Sequence, residues 1–203
     1  LDTKQMAGAF QLLRSNDLIW SRVISRYLLG EPDSMNDLMA WNADATRMPF
    51  HMHSQYLRRL FLDNELAKGC YMVEDKPVAL TDIRCPIFAV GTTKDHVAPW
   101  KSVYKIGILS DTDVTFLLTS GGHNAGIVSE PGKAKRHYQM ATRKDQDKFI
   151  GPDAWAQSAP HFEGSWWPAW EGWISKRSSG TMAPPAMGNA KAGYALQGKA
   201  PGL

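Results

Sequence analysis

Cysteine is scarce in this sequence, and the features that mark export or membrane insertion are missing. The only two cysteines, Cys70 and Cys85, have no paired or metal-ligand spacing, which favours reduced thiols in a cytoplasmic protein. No apolar run reaches the length of a membrane span, and no charged segment precedes a short apolar stretch as in a signal peptide. We therefore expect neither a transmembrane segment nor a secretory leader.

Charge of one sign is also in short supply, since the formal net charge is only +3. Residues 133–148 form the one positive cluster, and Asp145 and Asp147 interrupt it. This pattern favours a solvated helix face over a polyanion site, so no nucleic-acid partner is expected.

Metal and cofactor motifs are absent too. His51 and His53 lie two residues apart, so on a helix they point to different faces, and no metal site is predicted. No glycine-rich phosphate loop is present, and no resident cofactor is expected.

The first third of the chain is predicted to be helical. It begins with Leu1 rather than Met and runs straight into a helical pattern, which we interpret as a chain that starts part-way through a fold. A loop is predicted at residues 41–46, from its turn-forming residues, and an amphipathic helix at 56–66. Two earlier apolar stripes at helical spacing are formed by Met6, Phe10 and Leu13 and by Leu18, Val23, Tyr27 and Leu28.

The middle of the chain changes to an α/β pattern. Residues 86–91 and 114–119 are short apolar runs typical of buried parallel strands, and residues 99–109 can form the helix between them. Only two or three strands are expected, too few for a free-standing parallel sheet. The sheet is therefore predicted to be incomplete, with its remaining strands upstream of Leu1.

Tryptophans mark the region before a Gly/Ala/Pro-rich tail. A helix that Ser165 can cap, with Pro168 in its first turn, would place Trp166, Trp170 and Trp173 on one face. Core packing is the first interpretation of this stripe, and a partner or polymer surface is the second.

Two polar loops follow the predicted strands directly. Asp95 lies in the loop after the first strand and His123 in the loop after the second, within Ser-Gly-Gly-His-Asn-Ala-Gly. Reactive groups gather at the carboxyl ends of strands in open α/β sheets, and in α/β-hydrolases the acid precedes the histidine along the chain. A carboxylate beside an imidazole fixes its tautomer and stabilises the imidazolium. The spacing thus makes Asp95 and His123 a candidate acid–base pair.

Six strings, taken together, are more specific than this spacing. They run in order along the chain: residues 13–20 (LRSNDLIW), 41–46 (WNADAT), 56–66 (YLRRLFLDNEL), 95–100 (DHVAPW), 120–126 (SGGHNAG) and 164–170 (GSWWPAW). The set resembles class I polyhydroxyalkanoate synthases over nearly the whole chain.

The resemblance implies an acyltransferase that polymerises (R)-3-hydroxyacyl-CoA with release of CoA through a Cys-His-Asp triad. His123 would be the general base, and Asp95 the acid that acts on the 3-hydroxyl directly or through the histidine. His96 is either a site residue or, more simply, a packed neighbour. Arg58 would contact CoA phosphates or form a surface salt bridge.

One departure from the family pattern is decisive. The family's G-x-C-x-G nucleophile elbow is absent, and neither Cys70 nor Cys85 has the flanking glycines and helix of such an elbow. The implied organisation is the C-terminal part of an α/β-hydrolase fold, with the nucleophile upstream. It comprises a helical cap region at 1–80, the last core strands at 81–176 and a tail at 177–203.

The resemblance also implies partners and a location. These are the growing polyester and the granule surface, a homodimer formed through the cap, and the missing N-terminal portion of the same protein, all in the cytoplasm at polyhydroxyalkanoate granules. Two alternatives remain. One is an esterase or polyester depolymerase fragment, and the other is a non-catalytic, granule-associated interaction module, because the chain alone is expected to be inactive.

Overall fold

The structure, a computed structural model, describes Gly8 and residues 15–32 and 48–196. The chain divides into two compact units, Leu1–Asp82 and Ile83–Leu203. The predicted stripe of Met6, Phe10 and Leu13 and the predicted loop at 41–46 lie outside the described residues. No helix in the described ranges is both long and apolar enough to cross a membrane.

Two helices and a hairpin form the described part of the first unit. Helix α1 covers residues 16–28 and contains the segments Asn16–Trp20 (π), Ser21–Val23 (α) and Ile24–Leu28 (π). Helix α2 contains the segments Phe50–Gln55 (α) and Tyr56–Leu62 (π). Strands β1 (Tyr71–Val73) and β2 (Lys76–Val78) pair antiparallel, and a 3₁₀ turn at Leu80–Asp82 follows them.

Helix α2 differs from the predicted helix at 56–66 at both ends. It begins earlier, after Pro49, and it ends at Leu62. The end has a local cause, because Asn64 adopts a left-handed backbone with φ of 53°, a conformation that a right-handed helix does not contain. Asp63 N–H closes the last wide turn by donating to the Arg58 carbonyl at 2.8 Å.

The second unit is built on a four-stranded mixed sheet in the order β3-β4-β5-β6. Strands β3 (Ile87–Thr92) and β4 (Val114–Thr119) pair in parallel, and β5 (His137–Arg143) and β6 (His161–Glu163) extend the sheet antiparallel. The connection between β3 and β4 contains α3 (Trp100–Val103) and α4 (Ile106–Leu109). The α/β class and the two parallel strands are therefore confirmed, with the predicted single helix at 99–109 split in two.

The prediction of a helix face at 133–148 is wrong. Residues 137–143 form β5, which pairs along its whole length with β4. Lysines and arginines lie at both ends of this segment, so the strand-forming residues in its middle do not stand out in the sequence. Tyr138 and Gln139, in that middle part, are buried. With β6, this strand raises the sheet to four strands where two or three were expected.

Helices cover both faces of the sheet. Phe116 and Leu118 of β4 pack on one face with Trp155 of helix α5 (Pro152–Ser158) and with Tyr104. Leu117 packs on the other face with Tyr138 and with Trp166, beside helix α6 (Trp167–Ser175). Because side chains alternate along a strand, one apolar strand supplies both layers of core.

The tryptophan stripe and the tail have different environments. Trp166 is buried and the Trp173 indole N–H donates to Thr115 Oγ1 at 3.1 Å, as core packing requires, whereas Trp170 is 44% exposed. Beyond helix α6, the described part of the tail is exposed and contains one short 3₁₀ turn, Ala190–Ala192, inside a bridge between Asn189 and Tyr194.

The core assignment gives a direct stability prediction. Leu117→Ala should lower the free energy of unfolding by about 2–5 kcal/mol, because the side chain is fully buried and its removal leaves a cavity between β4 and helix α6. Leu196→Ala, at a leucine that is 61% exposed, should change it by less than about 0.5 kcal/mol. Urea unfolding followed by tryptophan fluorescence measures both, and equal losses would contradict the core assignment.

Candidate active site at the carboxyl ends of strands β3 and β4

The candidate site lies where the two parallel strands end. Beyond Thr92 and Thr119 the hydrogen-bond ladder continues into the loops, because Thr93 N–H donates to the Thr119 carbonyl at 3.0 Å. One step further, Lys94 N–H donates to the Gly121 carbonyl at 2.9 Å. The two loops are thus held side by side for two residues past the strands, directly before Asp95 and His123.

Asp95 and His123 form a hydrogen-bonded pair. His123 Nδ1 lies 2.9 Å from Asp95 Oδ2. The other oxygen, Oδ1, accepts the backbone N–H groups of Val97 and Ala98 at 2.9 and 2.8 Å. The Asp95 side chain is only 8% exposed, whereas that of His123 is 46% exposed. The carboxylate is therefore enclosed and fully engaged, and the imidazole remains accessible.

The protonation of the pair follows from these contacts. Burial raises the pKa of Asp95, but the hydrogen bonds from Ala98 N–H, His123 and Val97 N–H outweigh it, so this pKa lies below its ordinary value. An ionised carboxylate only accepts hydrogen bonds, so His123 Nδ1–H is the donor of the hydrogen bond to Oδ2. In the neutral imidazole the Nε2 atom then has a free lone pair and can act as a base.

Two glycines make room for the histidine loop. Gly121 has φ of 114°, and a Cβ there would lie 2.8 Å from Arg136 Nη1 and 2.9 Å from the Gly126 Cα. A Cβ at Gly126 would lie 2.6 Å from Thr92 Cγ2, at the end of strand β3. The backbone of the loop therefore packs directly against the end of strand β3, which brings His123 close to Asp95 in the loop that follows this strand.

The other predicted binding residues do not join this pair. His96 is exposed, and no hydrogen bond of its side chain is found among the described residues. Arg58 is exposed in the first unit, and no ion pair of its side chain is found within residues 15–32 and 48–196. Its neighbour Arg59 makes one instead, with Glu65 at 2.6 Å.

The cysteines are free and exposed in the described structure. Cys85 precedes strand β3, whereas Asp95 follows it, so the six residues of the strand separate the two positions by about 20 Å. Cys70 lies in the first unit, and its Sγ donates to the Glu65 carbonyl at 3.6 Å. In the described part of the chain, no three His, Cys, Asp or Glu side chains cluster as metal ligands would.

Comparison with known proteins agrees with the resemblance that the motifs indicated. The chain is 39% identical over 176 residues to a poly(3-hydroxyalkanoate) polymerase subunit PhaC of Rhizobium meliloti, covering 87% of this chain and 28% of that protein. It is 37% identical over 202 residues to a poly(3-hydroxyalkanoate) polymerase of Methylorubrum extorquens, covering 96% and 33%. For the PhaC subunit of Cupriavidus necator, the identity is 36% over 189 residues, covering 92% and 31%.

The chain is a homologue of part of the poly(3-hydroxyalkanoate) polymerases. The resemblance inferred from the six motifs is thereby confirmed. The chain spans about a third of the length of these polymerases. No protein-family model matches it.

Three side chains that touch the histidine loop of this polymerase homologue were not predicted as site residues. Arg136 was counted only in the positive cluster, and Trp166 and Trp167 only as core or surface. Each donates a hydrogen bond to a backbone carbonyl of the loop at residues 120–127. The two tryptophans lie in the motif string at 164–170 and Arg136 lies outside all six strings, but a contact between a side chain and a distant carbonyl leaves no periodic signal in a sequence.

The close packing of the loop predicts a large effect from one methyl group. Gly126→Ala should displace the loop from strand β3 and break the bond between Asp95 and His123, because the new Cβ collides with Thr92. Gly122→Ala is the matched control, since its Cβ would meet only the Lys94 carbonyl, at 3.8 Å. The low-field NMR signal of the His123 Nδ1 proton should disappear in the first variant and persist in the second. Loss in both, or in neither, would contradict the packing described.

The ionisation of Asp95 predicts a dependence of stability on pH. Because its pKa is lower in the folded protein than in the unfolded chain, the stabilisation is fully present above the ordinary aspartate pKa of about 3.9. It is lost as the pH falls from there through the folded value. The difference in unfolding free energy between wild type and Asp95→Asn should therefore shrink as the pH falls below about 4. Asp111→Asn, at an exposed aspartate, serves as the control in the same urea titrations.

Proposed function

We propose that this chain is part of a poly(3-hydroxyalkanoate) polymerase that transfers (R)-3-hydroxyacyl groups from CoA to a growing polyester. The observation that carries the proposal is the 2.9 Å hydrogen bond between His123 and Asp95 in a homologue of these polymerases. His123 is the general base, and Asp95 holds its tautomer and stabilises the imidazolium. The nucleophile is a cysteine thiol from the part of the polymerase outside this chain.

The first half-reaction uses the free Nε2 atom of His123. This nitrogen takes the thiol proton as the sulfur attacks the thioester carbonyl carbon of the acyl-CoA. The carbon–sulfur bond to CoA breaks, and the imidazolium returns the proton to the departing CoA thiolate. The products are an acyl-enzyme thioester and free CoA, so no resident cofactor is needed.

Chain growth repeats the same proton transfer on an alcohol. The 3-hydroxyl of a hydroxyacyl unit attacks an acyl thioester, His123 accepts the hydroxyl proton, and the proton leaves with the released thiol. A hydroxyl is a much weaker acid than a thiol, so this step depends more strongly on stabilisation of the imidazolium. Asp95 provides it, because the carboxylate stays ionised and already accepts the Nδ1 proton.

The remaining expectations about the complete protein are part of this proposal. The edge of strand β3 that faces away from β4 has no strand partner among the described residues, and open parallel edges are normally covered. A strand from the rest of the polymerase would pair there and complete an α/β-hydrolase sheet. Residues 1–80 would form its cap.

Exposed apolar side chains favour the proposed role of the cap in assembly. The exposed large apolar residues of helices α1 and α2 include Trp20, Tyr27, Leu28, Phe50, Phe61 and Leu62. An apolar surface of this kind is typical of an interface. We propose that it is covered in a homodimer of the complete polymerase, at the surface of the polyester granule.

The proposed chemistry predicts the effect of removing either partner. In the complete polymerase, His123→Ala or Asp95→Ala should abolish polymer formation without unfolding the protein, and Asp95→Asn should lower the rate by about 10⁴-fold because the tautomer is no longer held. His161→Ala and Asp111→Ala are the controls, both at exposed positions outside the two loops. Polymer yield and CoA release from 3-hydroxybutyryl-CoA measure the effect. Near-normal yield from His123→Ala would overturn the assignment of the base.

The source of the nucleophile is tested by comparing this chain alone with the complete polymerase. CoA release by the complete protein only is the expected result. Release by this chain alone would mean that Cys70 or Cys85 is the nucleophile, which the Cys70→Ser and Cys85→Ser variants would then identify. Release by neither would favour a non-catalytic, granule-associated module.

A further inference from the structure

The loop that carries His123 is held by side chains from two other parts of the second unit. From one side, Arg136 donates two hydrogen bonds to the loop, from Nη1 to the Ser120 carbonyl at 3.2 Å and from Nη2 to the Ala125 carbonyl at 2.6 Å. These carbonyls lie before and after His123, so a single planar guanidinium bridges the loop across the histidine. The space it occupies is the space that a side chain at position 121 would need.

From the other side, two neighbouring tryptophans reach the end of the same loop. The Trp166 indole N–H donates to the Gly126 carbonyl at 3.3 Å, and the Trp167 indole N–H donates to the Ile127 carbonyl at 3.0 Å. Ser165, the residue before them, donates from Oγ to the Ser129 carbonyl. The start of helix α6 is thus fixed to the backbone that follows His123.

These contacts add to the hydrogen bonds of the loop's own turns. Gly126 N–H donates to the Gly122 carbonyl at 2.8 Å, and Val128 N–H donates to the Asn124 carbonyl at 3.0 Å. Short turns are marginal by themselves, since their formation fixes several dihedral angles for few hydrogen bonds. The guanidinium and the two indoles add four bonds from outside the loop, and the buried Trp166 ring belongs to a core cluster of the second unit.

We propose that Arg136, Trp166 and Trp167 are positioning residues that hold His123 at hydrogen-bond distance from Asp95. The inference rests on the proposed function, because it assigns them a role in the reaction of that pair. They act through the backbone of the loop and do not touch the reacting atoms. Loss of their bonds lets the imidazole move away from Asp95, and displacements of about 1 Å in a catalytic group lower rates by about 10²-fold.

Conservative variants of the complete polymerase test the proposal with a limited loss of side-chain volume. Trp166→Phe and Trp167→Phe keep an aromatic ring but delete the indole N–H together with the rest of the five-membered ring. Trp170→Phe is the matched control, because Trp170 lies on the same helix and against the Trp166 ring, and its indole has no hydrogen bond among the described residues. Arg136→Gln removes the charge and shortens the side chain, and Arg136→Lys keeps the charge on a single donor nitrogen that cannot bridge both carbonyls as the guanidinium does. Lys133→Gln is the control for loss of a nearby cation.

Two measurements separate positioning from a merely structural role. For each single variant, kcat for CoA release should fall about tenfold and for the double Trp variant about 10²-fold, while KM for the acyl-CoA stays within about twofold. The low-field NMR signal of the His123 Nδ1 proton, observed after selective ¹⁵N-histidine labelling, should weaken in the same order. Arg136→Lys should retain more activity than Arg136→Gln, and Trp170→Phe and Lys133→Gln should match the wild type.

The results test two claims separately, the positioning role of Arg136, Trp166 and Trp167 and the catalytic role of His123. Wild-type kcat and an intact Nδ1 signal in the double Trp variant and in Arg136→Gln would overturn the positioning role. The positioning role would also be overturned if the controls and the test variants lost thermal stability and kcat to the same extent, with the same change in KM. If the Nδ1 signal weakens as expected but His123→Ala retains activity, the three residues do hold the loop, and the catalytic role of His123 is rejected.

Discussion

The parallel pairing of strands β3 and β4 is the constraint on which the candidate site depends. The pairing is in register from Ile87 opposite Val114 to Thr92 opposite Thr119, and the ladder continues into both loops. Because parallel strands end at the same edge, an acid and a base far apart in sequence emerge side by side. A register shift of one residue would turn Leu117 toward the wrong face of the sheet, so the core that holds β4 in place also fixes where His123 emerges.

The environment of Asp95 shows how an enclosed charge is stabilised next to a base. Burial alone would raise its pKa and favour the neutral acid, which could not hold the imidazole in the required tautomer. Two backbone N–H groups on Oδ1 and the imidazole on Oδ2 reverse that tendency. In the proposed reaction the turn at residues 95–98 therefore contributes directly, since it supplies N–H groups that stay on Oδ1 while His123 takes up and returns a proton.

The sequence predicted the elements whose pattern is local. Strands β3 and β4 are uninterrupted apolar runs, and the loops after them carry the acid and the histidine, so fold class and candidate pair were both predictable. Strand β5 was not, because lysines and arginines flank Tyr138 and Gln139 and imitate a solvated face. The hydrogen bonds from Arg136 and from the two tryptophans were not predictable either. They join side chains to backbone carbonyls of a distant loop, and the residue types show that donors are present but not which carbonyls they reach.

The unequal exposure of the two partners fits the proposed role of His123 as a base that serves two substrates in turn. In the proposed reaction, a thiol and then a hydroxyl must reach the Nε2 atom of His123, so the imidazole has to remain accessible, as its half-exposed side chain is. An accessible side chain on a glycine-containing loop is mobile unless something restrains its backbone. Burial of the histidine would provide that restraint but would block the substrates. Hydrogen bonds to the loop carbonyls from Arg136 and the Trp166–Trp167 pair restrain the backbone and leave the ring open.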